Sequence, residues 1–128
     1  MPRSTLVIED NAVVREVITT HLRQAGTDVT NASDATGVED HLDADHDIEM
    51  LVMDIDLPRR SGIDCISALR AEGVRTPCVF ITGGAADPPP LERTRLLRKP
   101  FEMEPLILTI RALLAECESE PSTDRQLD

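Results

Sequence analysis

The stretch that decides the fold reads Ile48-Glu49-Met50-Leu51-Val52-Met53-Asp54-Ile55-Asp56-Leu57-Pro58. From Ile48 to Met53 it is apolar, broken only by Glu49. A strand with one wet face alternates apolar and polar residues. This one does not, so it predicts a strand covered on both faces. It then stops at two carboxylates and a proline, which cannot donate to a ladder. Two more runs have the same form. Thr5-Leu6-Val7-Ile8 stops at Glu9-Asp10-Asn11, and Pro77-Cys78-Val79-Phe80-Ile81-Thr82 stops at Gly83-Gly84. Weaker strand signals lie at residues 28–32 and at Arg95-Leu96-Leu97-Arg98, the latter ending at Lys99-Pro100.

Between these strands the apolar period changes to three and four. Val14, Val17, Ile18, His21, Leu22 and Ala25 predict a first helix whose inward stripe includes His21, with Gly26 as its stop. Ser33-Asp34 is expected to cap a second helix running to about Leu42. Ile63, Ile66 and Leu69 mark a third helix ending at Gly73, and Leu106, Ile107, Ile110, Leu113 and Leu114 line a terminal one. Continuous apolar strands alternating with helices define an α/β fold with a parallel sheet and helices on both faces. Pro88-Pro89-Pro90 forbids a regular helix between the last two strands. No repeat or second domain is visible. The expected organisation is one domain over residues 4–116 and a charged, flexible tail over residues 117–128.

The 128 residues carry 24 acidic and 13 basic side chains, a formal net charge of −11. That excess argues against a nucleic-acid partner, which needs clustered Lys and Arg. Phe80 and Phe101 alone cannot form a base-stacking platform. No apolar run reaches the ~18 residues of a membrane helix, and the first residues are too short for a signal-peptide core. Cys65, Cys78 and Cys117, an odd number without a C-x-x-C pair, read as free buried thiols in a reducing compartment, so a cytoplasmic location is expected.

In open parallel sheets, ligands bind beyond the carboxyl ends of the strands. Glu9 and Asp10 follow the first strong strand, Asp54 and Asp56 end the third, Thr82 ends the fourth and Lys99 follows the fifth. A parallel sheet brings all of them to one edge. Carboxylates so close cannot all ionise without a cation. An all-oxygen donor set suits Mg²⁺. A carboxylate beside a metal and a lysine is set up as a nucleophile towards phosphorus.

The order Glu9-Asp10, then Asp54 with Pro58 and Gly62, then Thr82, then Lys99-Pro100-Phe101 resembles the receiver domain (CheY-like) of two-component response regulators. The resemblance implies a flavodoxin-like five-stranded parallel sheet. It also implies Mg²⁺-dependent phosphotransfer from a histidine kinase or a histidine phosphotransfer protein to Asp54. On this match Asp54 is phosphoacceptor and metal ligand, Asp10 binds Mg²⁺ directly, Glu9 binds it through water or assists, and Asp56 supplies its backbone carbonyl. Lys99 pairs with the phosphoryl group and Thr82 hydrogen-bonds it. The chain is then a signalling phosphoacceptor, catalysing only its own phosphorylation and dephosphorylation.

Four features depart from the family. Gly83 and Gly84 replace the small and variable residues after the threonine. Asp56 adds a carboxylate two residues after the acceptor, at a position that faces the phosphoryl group in the family, where an acid is expected to affect dephosphorylation or metal affinity. The segment from Thr82 to Lys99 is short, so the fourth helix is expected to be one turn or missing, and phosphorylation is expected to act on residues 83–94. Leu96 stands where the family places an aromatic switch. Two other functions compete with this one. In a phosphohydrolase of the haloacid-dehalogenase type, Asp54-Ile55-Asp56 would be the D-x-D motif, but that family puts this motif on its first strand. A docking module without chemistry would not need Asp54 and Lys99 together.

Overall fold

A computed structural model of the chain describes residues 1–85 and 87–120. Nine elements follow in order: β1 (Ser4–Ile8), α1 (Ala12–Gln24), β2 (Asp28–Ala32), α2 (Val38–Ala44), β3 (Ile48–Asp54), α3 (Gly62–Ala71), β4 (Cys78–Thr82), β5 (Thr94–Arg98) and α4 (Met103–Ser119). The strands form one parallel sheet in the order β2-β1-β3-β4-β5. This is the flavodoxin-like arrangement, and its strand order reverses beside β1 and β3.

The strands are apolar throughout because each face meets its own core. Leu6, Ile8, Leu51, Met53 and Phe80 join Val38, Cys65, Ile66 and Leu69 on the side of α2 and α3. Val7, Met50, Val52, Val79 and Ile81 join Ile18, Leu22, Leu106, Ile110 and Leu113 on the side of α1 and α4. Side chains alternate faces along a strand. Burying each leucine- or isoleucine-sized side chain contributes about 1.5–3 kcal/mol.

The helix starts explain why acidic residues are left free for chemistry. The Asn11 side chain caps α1, accepting from the backbone N–H of Val13 at 3.0 Å and Val14 at 3.1 Å. Glu9 and Asp10 are therefore not the cap. Ser61 caps α3 through the Asp64 N–H at 3.0 Å. Just past α1 and α3, Gly26 and Gly73 take φ of 102° and 83°, the left-handed turn that ends a helix.

Four sequence expectations are corrected. Asp34 does not cap α2. Its carboxylate accepts from the Thr36 N–H and hydroxyl, at 3.0 and 2.6 Å, closing a local turn that delays α2 to Val38. His21 is exposed, with its ring Nδ1 2.9 Å from the Val17 carbonyl of the preceding turn. Cys65 and Cys78 are free and buried, but Cys117 is only half-buried. The polar composition after Glu116 does not end α4, which runs to Ser119 while Cys117 packs on the second core. Residues 121–128 of the expected tail lie outside the described residues. Among the described residues, no helix lies between β4 and β5, and none is long and apolar enough to cross a membrane.

Candidate functional site

The carboxyl ends of the central strands converge as the topology requires. Glu9 and Asp10 leave β1, Asp54 ends β3, Thr82 ends β4, and Lys99 follows β5. Backbone bonds lock these ends together. The Lys99 N–H donates to the Thr82 carbonyl at 2.7 Å, and the Ile55 N–H to the Ile81 carbonyl at 3.0 Å.

Glu9, Asp10 and Asp54 each place a carboxylate oxygen within 4.8 Å of the others. Glu9 and Asp54 are buried and Asp10 is exposed, so the cluster opens to solvent on one side. The Lys99 Nζ donates to Glu9 Oε1 and to Asp54 Oδ2, both at 2.7 Å. Burial disfavours the Glu9 anion and raises its pKa, and the Lys99 hydrogen bond only partly offsets this. Burial works against the Lys99 charge too, yet its hydrogen bonds to Asp54 and Glu9 outweigh that, and its pKa is raised. One ammonium against three carboxylates leaves the cluster negative. Its donors are all hard oxygens, so the residues fit a divalent cation such as Mg²⁺.

The second half of the site orients Asp54. The Asp56 N–H donates to Asp54 Oδ1 at 2.9 Å, so one carboxylate oxygen faces Lys99 and the other the following loop. The Thr82 hydroxyl lies 3.3 Å from Asp56 Oδ2 and accepts the Gly84 N–H at 3.0 Å. The structure thus brings all six sequence-selected residues to one edge, with Thr82 tied to the Asp56 side chain.

Three supporting groups hold the site in ways that their positions in the sequence do not show. Arg15 donates to the Glu9 carbonyl at 2.8 Å, and the Asn11 N–H to Glu9 Oε2 at 3.2 Å, fixing the buried acid from behind. Gly62 lies so close to β3 that a Cβ there would fall 2.5 Å from the Asp54 carbonyl oxygen. The Asn before an apolar periodic run was available as a signal, because it is a helix-start residue. Gly62 belongs to the motif that carries the resemblance, and the Arg15 contact with the Glu9 carbonyl spans six positions.

A strand-end acidic triad bridged by a lysine, on a sheet of this order, defines a receiver-type domain. The family model described as a response regulator receiver domain matches residues 5–111, and the chain belongs to that family, which acts in two-component systems. Among curated relatives, it is 33% identical over 121 residues to the response regulator protein PmrA of Pseudomonas aeruginosa, covering 84% of this chain and 51% of that one. It is 29% identical over 118 residues to the probable transcriptional regulatory protein TcrX of Mycobacterium tuberculosis, covering 88% and 50%. The chain spans about half the length of the curated relatives it matches. Among solved structures, a response regulator receiver protein from Sinorhizobium medicae is 26% identical, with a TM-score of 0.78 over 88% of this chain and 94% of that one. A CheY-like receiver domain from Methanospirillum hungatei shares the fold, with a TM-score of 0.81 at 18% identity over 94% and 100%.

Proposed function

We propose that this receiver domain is a phosphoaccepting switch in which Asp54 takes a phosphoryl group from a phosphohistidine. The observation that carries this reading is the Asp54 carboxylate, 4% exposed at a strand end, held at 2.7 Å by Lys99 with Glu9 and Asp10 beside it. Asp54 attacks phosphorus, an O–P bond forms, and the N–P bond to the donor imidazole breaks. The electron pair goes to the imidazole nitrogen, which then takes up a proton. Lys99 stays on the acceptor side as a fixed positive charge for the phosphoryl oxygens. Thr82 supplies a hydroxyl donor to one of them. Glu9, Asp10, Asp54 and the Asp56 backbone carbonyl would hold Mg²⁺, which when bound neutralises the oxygens that gather charge during transfer.

The donor is a histidine kinase or a histidine phosphotransfer protein, and the domain works in the cytoplasm, alone or within a larger chain. It catalyses only the gain and loss of its own phosphoryl group. An apolar groove of about 450 Å³ beside Lys99 supports a docking role. Val13, Val17, Phe101 and Met103 line it, and Val13 is 73% exposed. Acetyl phosphate with Mg²⁺ tests the reading. A stable adduct on Asp54 is expected. Continuous release of phosphate would make the protein a hydrolase, and no reaction would make it a docking module.

A further inference from the structure

The end of the sheet opposite the acidic cluster carries a crevice of about 300 Å³ at the amino ends of β3, β4 and β5. Ile48, Pro77 and Leu114 give it apolar walls, and Arg75 and Arg93 bring two guanidinium groups to it. Arg93 is held in a costly backbone conformation. Its φ is 56°, in the left-handed region, while its carbonyl accepts the Cys78 N–H at 2.9 Å at the start of the β4–β5 pairing. Its side chain is 19% exposed. Arg93 Nη1 donates to the Arg75 carbonyl at 3.4 Å, and Nη2 donates to Glu120 Oε2 at 2.6 Å. Arg75 Nη2 donates to the same Glu120 oxygen at 3.4 Å. Among the described residues, Arg93 Nε is the one buried side-chain nitrogen or oxygen without a hydrogen-bond partner.

Nε and Nη2 lie along one edge of a guanidinium, and that edge can hold both oxygens of a carboxylate at once. Glu120 fills half of it, because its Oε2 is shared between Arg93 and Arg75. A buried N–H left over beside it is a standing penalty. We propose that Arg93 and Arg75 form a binding site for the carboxylate of a small apolar acid, with Glu120 as its built-in competitor. One ligand oxygen takes Arg93 Nε and the other takes Nη2, and Glu120 turns out to solvent. Arg75 keeps its bond to Glu92 Oε2 at 3.2 Å, so it is not left unpaired. The body of the acid lies against Ile48, Pro77 and Leu114. The volume matches about ten water molecules at ~30 Å³ each, so the acid is small. Charge selects among anions. Glu49 and Glu118 also line the crevice, and they repel a singly charged carboxylate less than a doubly charged phosphate. The site uses none of the residues around Asp54, so it stands whether or not Asp54 accepts a phosphoryl group.

Benzoate is the probe, with benzamide as its uncharged counterpart and inorganic phosphate as the rival anion, all at constant ionic strength. Two-dimensional NMR follows the Arg93 Nε–H signal, identified by its loss in Arg93→Lys, and the backbone amides of Ile48 and Leu114. Benzoate is expected to shift these signals saturably in the wild type, phosphate to bind more weakly and benzamide not at all. Glu120→Gln removes the competing charge from an exposed residue and should tighten benzoate binding at least about threefold, the scale of one partly solvated ion pair. Arg93→Lys keeps the charge and loses the two-point edge, and should weaken binding at least about tenfold, read on the backbone amides. Urea titration checks that each variant folds. If Arg93→Lys is unfolded, the Glu120→Gln comparison decides alone. Equal benzoate affinity in Glu120→Gln and wild type would overturn the proposal. So would binding that survives Arg93→Lys unchanged, benzamide or phosphate binding as tightly as benzoate, or no saturable shift in either wild type or Glu120→Gln.

Discussion

Asp10 is the exposed member of an otherwise buried carboxylate cluster, so it can change without leaving a buried charge behind. Asp10→Asn removes one oxygen anion and keeps the shape. Even residues that only orient metal ligands are worth about 10–100-fold in affinity, so Mg²⁺ affinity is expected to fall at least about tenfold, read by metal titration. An unchanged titration would remove Asp10 from the metal set. A second residue-scale prediction concerns Arg60, whose two guanidinium nitrogens hold the Glu39 oxygens at 2.8 and 2.7 Å. The hydrogen bond from Arg60 lowers the Glu39 pKa below its usual value. A depressed carboxylate pKa stabilises the fold above the unfolded value, and that contribution is lost as pH falls through the folded one. Both side chains are partly solvated, so the pair is worth no more than about 1 kcal/mol. Urea denaturation should show wild type above Glu39→Gln near neutrality, with the gap closing on the acid side. A gap that widens in acid would contradict the pairing.

At the scale of elements, α1 presents an apolar ridge at the mouth of the site. Val13→Asp puts a charge on a side chain that is 73% exposed, so the fold should tolerate it. Transfer from the cognate kinase is expected to slow at least about tenfold, a loss of about 1.4 kcal/mol, while acetyl-phosphate labelling is unchanged. A parallel fall in both rates would remove the groove from docking. The β4–β5 connection is the other element of interest. No helix forms in its described part, and Leu96 sits half-buried where an aromatic switch would stand. The loop is instead tied by polar contacts. The Gly84 N–H is on Thr82, and Arg98 donates to the Gly84 carbonyl at 2.6 Å and pairs with Asp87. A phosphoryl group that engages Thr82 pulls on this chain directly. Amide exchange over residues 83–93 should slow with beryllofluoride and Mg²⁺, with little change in α4. Equal exchange in both states would rule out this loop as the readout.

Across the whole molecule, legibility followed the range of the interactions. The runs at Leu6-Val7-Ile8, Met50 to Met53 and Val79-Phe80-Ile81 fixed a doubly covered parallel sheet, and topology alone then brought Glu9, Asp10, Asp54, Thr82 and Lys99 together. What was not legible rests on partners distant in sequence. The polar end of α4 is held because Glu116 meets Arg95, and Glu120 meets Arg93 and Arg75. The Thr82–Asp56 contact joins residues 26 positions apart. Local competition hid the start of α2, where the Asp34 turn displaced the expected cap.

The proposed reaction is transfer of a phosphoryl group from nitrogen to Asp54 with the help of a divalent cation. Phosphoramidate carries the same P–N bond as phosphohistidine and needs no docking partner. Intact-mass measurement and peptide mapping after incubation with it read that reaction without a kinase. One phosphoryl group per chain is expected, on Asp54, formed with Mg²⁺ and absent when the cation is chelated beforehand or when Asp54→Asn replaces the acceptor. Labelling that survives Asp54→Asn, or that proceeds equally without a divalent cation, would contradict the proposed transfer.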